Sequence, residues 1–169
     1  YDEIKDESPE VIIAGFGRFG QIFGRILRSQ RITFVAIDHD PDSIEILRKF
    51  GSKVYYGDAS RQDLLESAGA ARARYFILAI DDLEASVQAA KVVREHFPHL
   101  KIFARARNRS HTFNLMEEGV ESIKRDTIDS AANFVGDLLV EMGFEKKRAD
   151  LVIQKFKIHD QLLLHEQYK

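Results

Sequence analysis

The sequence predicts a doubly wound α/β fold: a mostly parallel Rossmann sheet of about six strands, with a C-terminal helical extension. Three observations carry this. Short apolar runs alternate with amphipathic segments along the chain, the pattern of repeated β-α-β units. The first run, Val11 to Ala14, ends in Gly15-Phe16-Gly17-Arg18-Phe19-Gly20, a G-x-G-x-x-G placed between strand and helix. Asp38 closes the second run, 18 positions after Gly20.

In the fingerprint, Gly15 makes the tight turn off the strand, Gly17 lets a pyrophosphate approach the backbone, and Gly20 lets helix pack on strand. The helix that follows, with Ile22, Phe23, Ile26 and Leu27 as its apolar positions, aims its unsatisfied N–H groups and positive dipole end at an anion. Asp38 stands where a carboxylate accepts hydrogen bonds from an adenosine ribose. It also selects. A 2′-phosphate beside it would repel by about 4 kcal/mol at roughly 4 Å and an effective dielectric near 20, and no arginine follows Asp38 to neutralise it. The expected nucleotide has a free ribose: AMP, NAD or NADH.

Further along, Pro41 and Asp42 start a helix that Gly51 stops, and residues 53–56 form a short strand ending at Gly57-Asp58. A helix over 61–67 is expected to bury Leu64 and Leu65. The run 73–80 is almost continuously apolar, as befits a central strand covered on both faces. A helix follows Asp81-Asp82, a fifth strand spans 100–104, and a helix spans 110–118. A strand at 120–123 and a helix at 127–142 complete the alternation. Residues 1–9 read as a linker from a segment not in this chain, 10–143 as the nucleotide-binding domain and 144–169 as the helical extension.

At the carboxyl ends of the strands, where ligands sit in such sheets, polar residues collect. They are Arg18, then Asp38-His39-Asp40, then Asp58, then Asp81-Asp82, and last Arg105 and Arg107. Asp58 and Asp82 serve equally well as N-caps. Arg105 and Arg107 share a face if their run stays extended, and suit an anion such as a nucleotide or a peptide carboxylate.

Composition excludes several functions. Lys+Arg 25 against Asp+Glu 27 provides no global positive field for nucleic acid. No cysteine is present, so thiol catalysis, disulfides and thiolate metal sites are out. No apolar run approaches a membrane span. The six histidines form no metal motif. A dehydrogenase would need a substrate site beyond the sheet, and the Tyr-x-x-x-Lys pair occurs only as Tyr1 and Lys5. A sensor fits better than an enzyme, with no catalytic residue expected. The helix at 127–142 carries a wide apolar stripe (Ile128, Ala131, Phe134, Val135, Leu138, Leu139, Met142), and 149–164 adds Val152, Phe156 and Leu163. Both segments suit either the monomer core or a partner.

The stretches Ile12-Ile13-Ala14-Gly15-Phe16-Gly17-Arg18-Phe19-Gly20-Gln21, Asp38-His39-Asp40-Pro41-Asp42, Leu47-Arg48-Lys49-Phe50-Gly51, Tyr56-Gly57-Asp58-Ala59 and Ala79-Ile80-Asp81-Asp82 share a resemblance. So do Glu95-His96-Phe97-Pro98-His99-Leu100 and Ala104-Arg105-Ala106-Arg107. Together they resemble the cytoplasmic potassium-transport nucleotide-binding domain, or regulator of potassium conductance domain, of Kef-type glutathione-gated potassium efflux systems. The resemblance is close over about residues 10–130 and loosens beyond Gly143.

It implies a homodimeric regulatory domain on the cytoplasmic face of the inner membrane, tethered to a cation/proton antiporter absent from this chain, with room for an ancillary subunit. Glutathione would hold the system closed and its adducts would open it. The resembling stretches add Phe16, Phe19, Ala59, Ala79 and Ile80 to the nucleotide site. The family's glutathione residues fall on Arg25, Phe50 and Arg125. Lys157 stands nearest to an asparagine of the family pattern that is not matched here.

Overall fold

The computed structural model describes residues 8–49 and 53–168. Residues 1–7 of the expected linker, the candidate ligand residue Phe50 and the helix stop at Gly51 lie outside the described residues. Within them, six strands alternate with seven helices. They are β1 (Val11–Ala14), α1 (Arg18–Ser29), β2 (Phe34–Asp38), α2 (Pro41–Lys49), β3 (Lys53–Tyr56), α3 (Gln62–Ser67), β4 (Tyr75–Leu78), α4 (Leu83–His96), β5 (Lys101–Ala106), α5 (Arg109–Glu117), β6 (Ser122–Arg125), α6 (Ile128–Glu141) and α7 (Lys146–Tyr168).

All pairings are parallel, in the order β3-β2-β1-β4-β5-β6. The chain therefore reverses its winding between β1 and β4, and the switch point lies at the end of β1. The strands at the centre are those with uninterrupted apolar runs, and β1 and β2 are buried throughout. The edge strands Lys-Val-Tyr-Tyr and Ser-Ile-Lys-Arg alternate or stay half-exposed, because only one neighbour and one face cover them. One core gathers Ile12, Phe76, Leu78, Val93 and Leu115 on the side of α3, α4 and α5. A smaller one gathers Ile13, Phe16, Phe34, Leu47 and Ile77 on the side of α1 and α2.

Several boundaries and faces differ from the sequence expectation. α1 packs through Gly20, Gly24, Phe23 and Leu27, while Ile22 and Ile26 face outward at 56% and 59% exposure. Phe16 is the reason: its buried ring reaches under Gly24 and lies against Phe34, so the helix meets the sheet on its glycine face. Of the pair in α3, Leu65 is buried and Leu64 only partly. β4 is limited to Tyr75–Leu78, since Ala79 and Ile80 already turn over the loop of β1. β6 lies at Ser122–Arg125 rather than 120–123, which puts Arg125 on the strand end instead of in a loop. The chain then enters α6 through Thr127 at φ 74.

α6 and α7 pack on each other and bury little else. Ala132, Ala149 and Leu164 are their only buried side chains among the described residues. Phe134, Leu138, Val152, Phe156 and Leu163, which the sequence assigns either to the monomer core or to a partner, are exposed in the isolated chain.

Candidate functional site

The end of β1 is held from two sides. Gly15 N–H donates to Ile37 O at 2.9 Å, and Ala79 N–H donates to Ala14 O at 2.8 Å. Gly15 sits at φ +90, and a Cβ there would lie 2.8 Å from Ala79 C and Ile80 N. At Gly20 the Cβ would fall on Gly15 O, so the first turn of α1 lies directly on the loop. Both glycines are demanded by the protein's own packing. Gly17 is not: its φ is −73 and a Cβ there meets no protein atom within 4 Å. It caps α1 with no side-chain hydrogen bond, so among the described residues the first N–H groups of the helix have no side-chain acceptor. That combination accepts an anion brought against the backbone.

Asp38 fixes the same loop from β2. Phe16 N–H donates to its Oδ2 at 2.6 Å, and Asp40 N–H donates to its Oδ1 at 2.8 Å. The carboxylate is 8% exposed. An ionised carboxylate offers about four lone-pair sites, so these two bonds leave acceptor capacity on both oxygens. Beside it His39 is 82% exposed, with Nδ1 3.9 Å from Asp38 Oδ1. Asp40 accepts from Asp42 N–H at 3.0 Å and so shapes the entry to α2.

The remaining acids divide by partner. Asp58 accepts from both the N–H and the hydroxyl of Ser60, at 2.8 and 2.7 Å, and Asp82 caps α4 through Ala85 N–H at 2.9 Å. Ala59 and Ala79 are buried behind them, with Ile80 at the loop edge. Arg105 is engaged by the protein itself. Its Nη2 lies 2.7 Å from Asp81 and 2.8 Å from Asp126, and its guanidinium stacks 5.3 Å above the Phe19 ring. The Asp126 carboxylate, ahead of burial in effect, raises its pKa above the ordinary guanidinium value. Arg105 thus ties α1, β4, β5 and the β6–α6 junction together, while Arg18 and Arg107 remain exposed.

Next to this network His111 is fully buried. Arg107 N–H donates to its Nδ1 at 3.0 Å, so the neutral ring carries its proton on Nε2, 2.9 Å from Ser86 Oγ. Burial, aided by Arg105 and Arg107 and opposed by Asp126, lowers its pKa from the ordinary value. Asp126 follows a strand as the other acids do, and that position was a usable signal. The His111–Ser86 pair is 25 residues apart and follows no motif.

A second concavity of about 690 Å³ opens between β6, α5 and α7, with Arg125, Lys157, Asp160 and Gln161 among its walls. Arg125 pairs with Asp160 there. Lys157 Nζ donates to Asn133 Oδ1 at 3.1 Å and lies 3.3 Å from Asp129. Arg25 is exposed on α1, outside that groove. No helix among the described residues is long and apolar enough to cross a membrane, and no group of three or more metal-ligating side chains occurs among them.

A switch-point glycine loop with an acid on the neighbouring strand end defines a Rossmann-type nucleotide-binding domain. The chain belongs to the TrkA-N domain family, whose pattern it matches over residues 11–126. It is 53% identical over 161 residues to the glutathione-regulated potassium-efflux system protein KefC of Escherichia coli, a match covering 93% of this chain. The chain spans about a quarter of that relative's length (26%). Among solved structures, the Shewanella denitrificans Kef C-terminal domain in AMP-bound form superposes with a TM-score of 0.85 at 42% identity, covering 94% of this chain and 97% of that one. The NAD-bound GsuK channel shares the fold alone, with a TM-score of 0.67 and 20% identity over 78% of this chain and 24% of that one.

Proposed function

We propose that this chain is a regulatory, non-catalytic domain that senses ligands and gates a potassium/proton antiporter from the cytoplasmic face of the membrane. The observation that carries the reading is Gly17. Its missing side chain answers to no protein contact, at the uncapped N-terminus of α1 beside Asp38. An adenine nucleotide fits: phosphate on the N–H groups of α1, ribose hydroxyls on the free lone pairs of Asp38. The AMP named for the Shewanella relative supports this class of ligand. The length of KefC beyond the matched quarter supports a tethered transport domain.

Glutathione or its adducts form the second ligand of the reading. The name of the KefC relative supports it, and so does the groove that brings Arg125 and Lys157 together. Arg25 lies apart from them in one copy, so the peptide would bridge two. The dimer would bury α6 and its C-terminal cap, where Phe134, Leu138 and Met142 are 77%, 54% and 67% exposed, an apolar row without a cover in the isolated chain. Sedimentation should show a dimer at tens of micromolar, the range in which an interface of about −8 kcal/mol is populated; a monomer there contradicts it.

The nucleotide part is tested by thermal unfolding with AMP, NAD, NADH and NADP. A ligand at about 100 times its Kd adds roughly 2.7 kcal/mol, and the first three should raise Tm well beyond NADP. Equal stabilisation by NADP and NAD contradicts the role of Asp38.

A further inference from the structure

Asp160 of α7 reaches the amino end of α5 and the carboxyl end of β6 at once. It pairs with Arg125, and its other oxygen lies 3.7 Å from Arg109 Nη1. Arg109 is held to the same helix again, donating through Nε to Gln167 Oε1 at 2.9 Å. The side chains of Asp160 and Arg125 are only 15% and 13% exposed. One turn earlier on α7, Lys157 is fastened to Asp129 and Asn133 of α6. Asp160 is thus the charged seat of α7 on β6 and α5, beside the Arg109–Gln167 hydrogen bond and the Phe113–Tyr168 stack, and the same stretch of helix grips α6.

We propose that Asp160 is an internal competitor for a ligand carboxylate. The arginine pair Arg125 and Arg109 is an anion site that α7 closes by placing its own carboxylate there, and a carboxylate-bearing ligand taking Arg125 releases the helix. This rests on the reading that Arg125 receives a ligand carboxylate, and adds Arg109 as a second donor. Asp160 spends one oxygen on each arginine, and its side chain and that of Arg125 are largely shielded from solvent, so a ligand carboxylate that takes up Arg125 displaces Asp160 from it. By linkage, whatever seats α7 weakens the ligand and whatever binds the ligand loosens α7. Through Lys157 the release reaches α6, the helix proposed to pair with a second copy.

The test measures binding of glutathione and of glutarate, a plain dicarboxylate, by calorimetry on the unmodified domain and on Asp160→Asn. Amide hydrogen exchange over residues 157–168 of the unmodified domain is followed with each probe. If α7 is seated about nine-tenths of the time, removing the competing charge tightens binding about tenfold. Saturating probe should also speed exchange over 157–168. Glutathione binding equally well to both proteins, with α7 exchange unchanged, overturns the latch and leaves the glutathione reading standing. Glutarate tightened by Asp160→Asn and releasing α7, with glutathione binding neither protein, upholds the latch and removes glutathione. No binding of either probe to either protein overturns both.

Discussion

Arg105 donates through Nε to both carboxylate oxygens of Asp126, at 2.9 and 2.8 Å, while the far side of its guanidinium covers Phe19 of α1. The nucleotide loop and the start of α6 are therefore two contacts apart. Asp126 is 25% exposed and Asp81, the other partner, is 70% exposed.

Removing the two acids should have unequal effects. Hydrogen bonds to charged groups contribute about 1.5–3 kcal/mol, whereas an exposed ion pair contributes about 0–1 kcal/mol. Asp126→Ala should therefore lower unfolding stability by roughly 2 kcal/mol and Asp81→Ala by a few tenths. Urea unfolding measures both; equal losses would show that Arg105 is held by solvent-screened charge alone.

Asp38 has two roles to separate. Asp38→Asn keeps an oxygen to accept Phe16 N–H, gives up the acceptor of Asp40 N–H, and removes the charge that repels a 2′-phosphate. The variant should stay folded, bind NAD several-fold more weakly and lose most of its preference for NAD over NADP. Titration with both nucleotides checks this. Retained preference would place the discrimination elsewhere.

His111 sets a pH dependence. Its folded pKa lies below the unfolded value of about 6.5, so below that pH the unfolded chain binds the extra proton more readily than the fold does. Stability is then highest above about pH 6.5 and declines as the pH falls from there. The protonated ring would have to give up its acceptor role toward Arg107 N–H. Urea midpoints at pH 7.5 and 5.5 should differ for the unmodified domain and differ less for His111→Asn, whatever the baseline stability of the variant. An unchanged pH difference would remove His111 as the source.

The order of elements and the glycine loop were legible because they rest on local rules: apolar runs of strand length, a G-x-G-x-x-G at a strand end, an acid at a fixed distance. Faces were harder. Ile22 and Ile26 follow the helical period, yet Phe16 filling the space under Gly24 turns them outward. The partners of Arg105 and Arg125 were hidden for another reason. Asp126 is 21 residues and Asp160 35 residues from the arginines they hold, and charge pairing across that distance leaves no periodic trace. The apolar stripe on α6 was visible, but a stripe does not say whether its cover is the same chain or another copy.

Gly17→Ala separates ligand binding from folding, and calorimetric titration of AMP and NAD into that variant is the most direct measurement. The backbone there suits alanine and a Cβ meets no protein atom within 4 Å, so stability should hold or rise by about 0.4–1 kcal/mol. The methyl group would stand between the phosphate and the N–H groups of α1, and affinity for both nucleotides should fall at least tenfold. Undiminished binding of AMP and NAD to a fully folded Gly17→Ala domain would contradict the assignment of this loop as the nucleotide site.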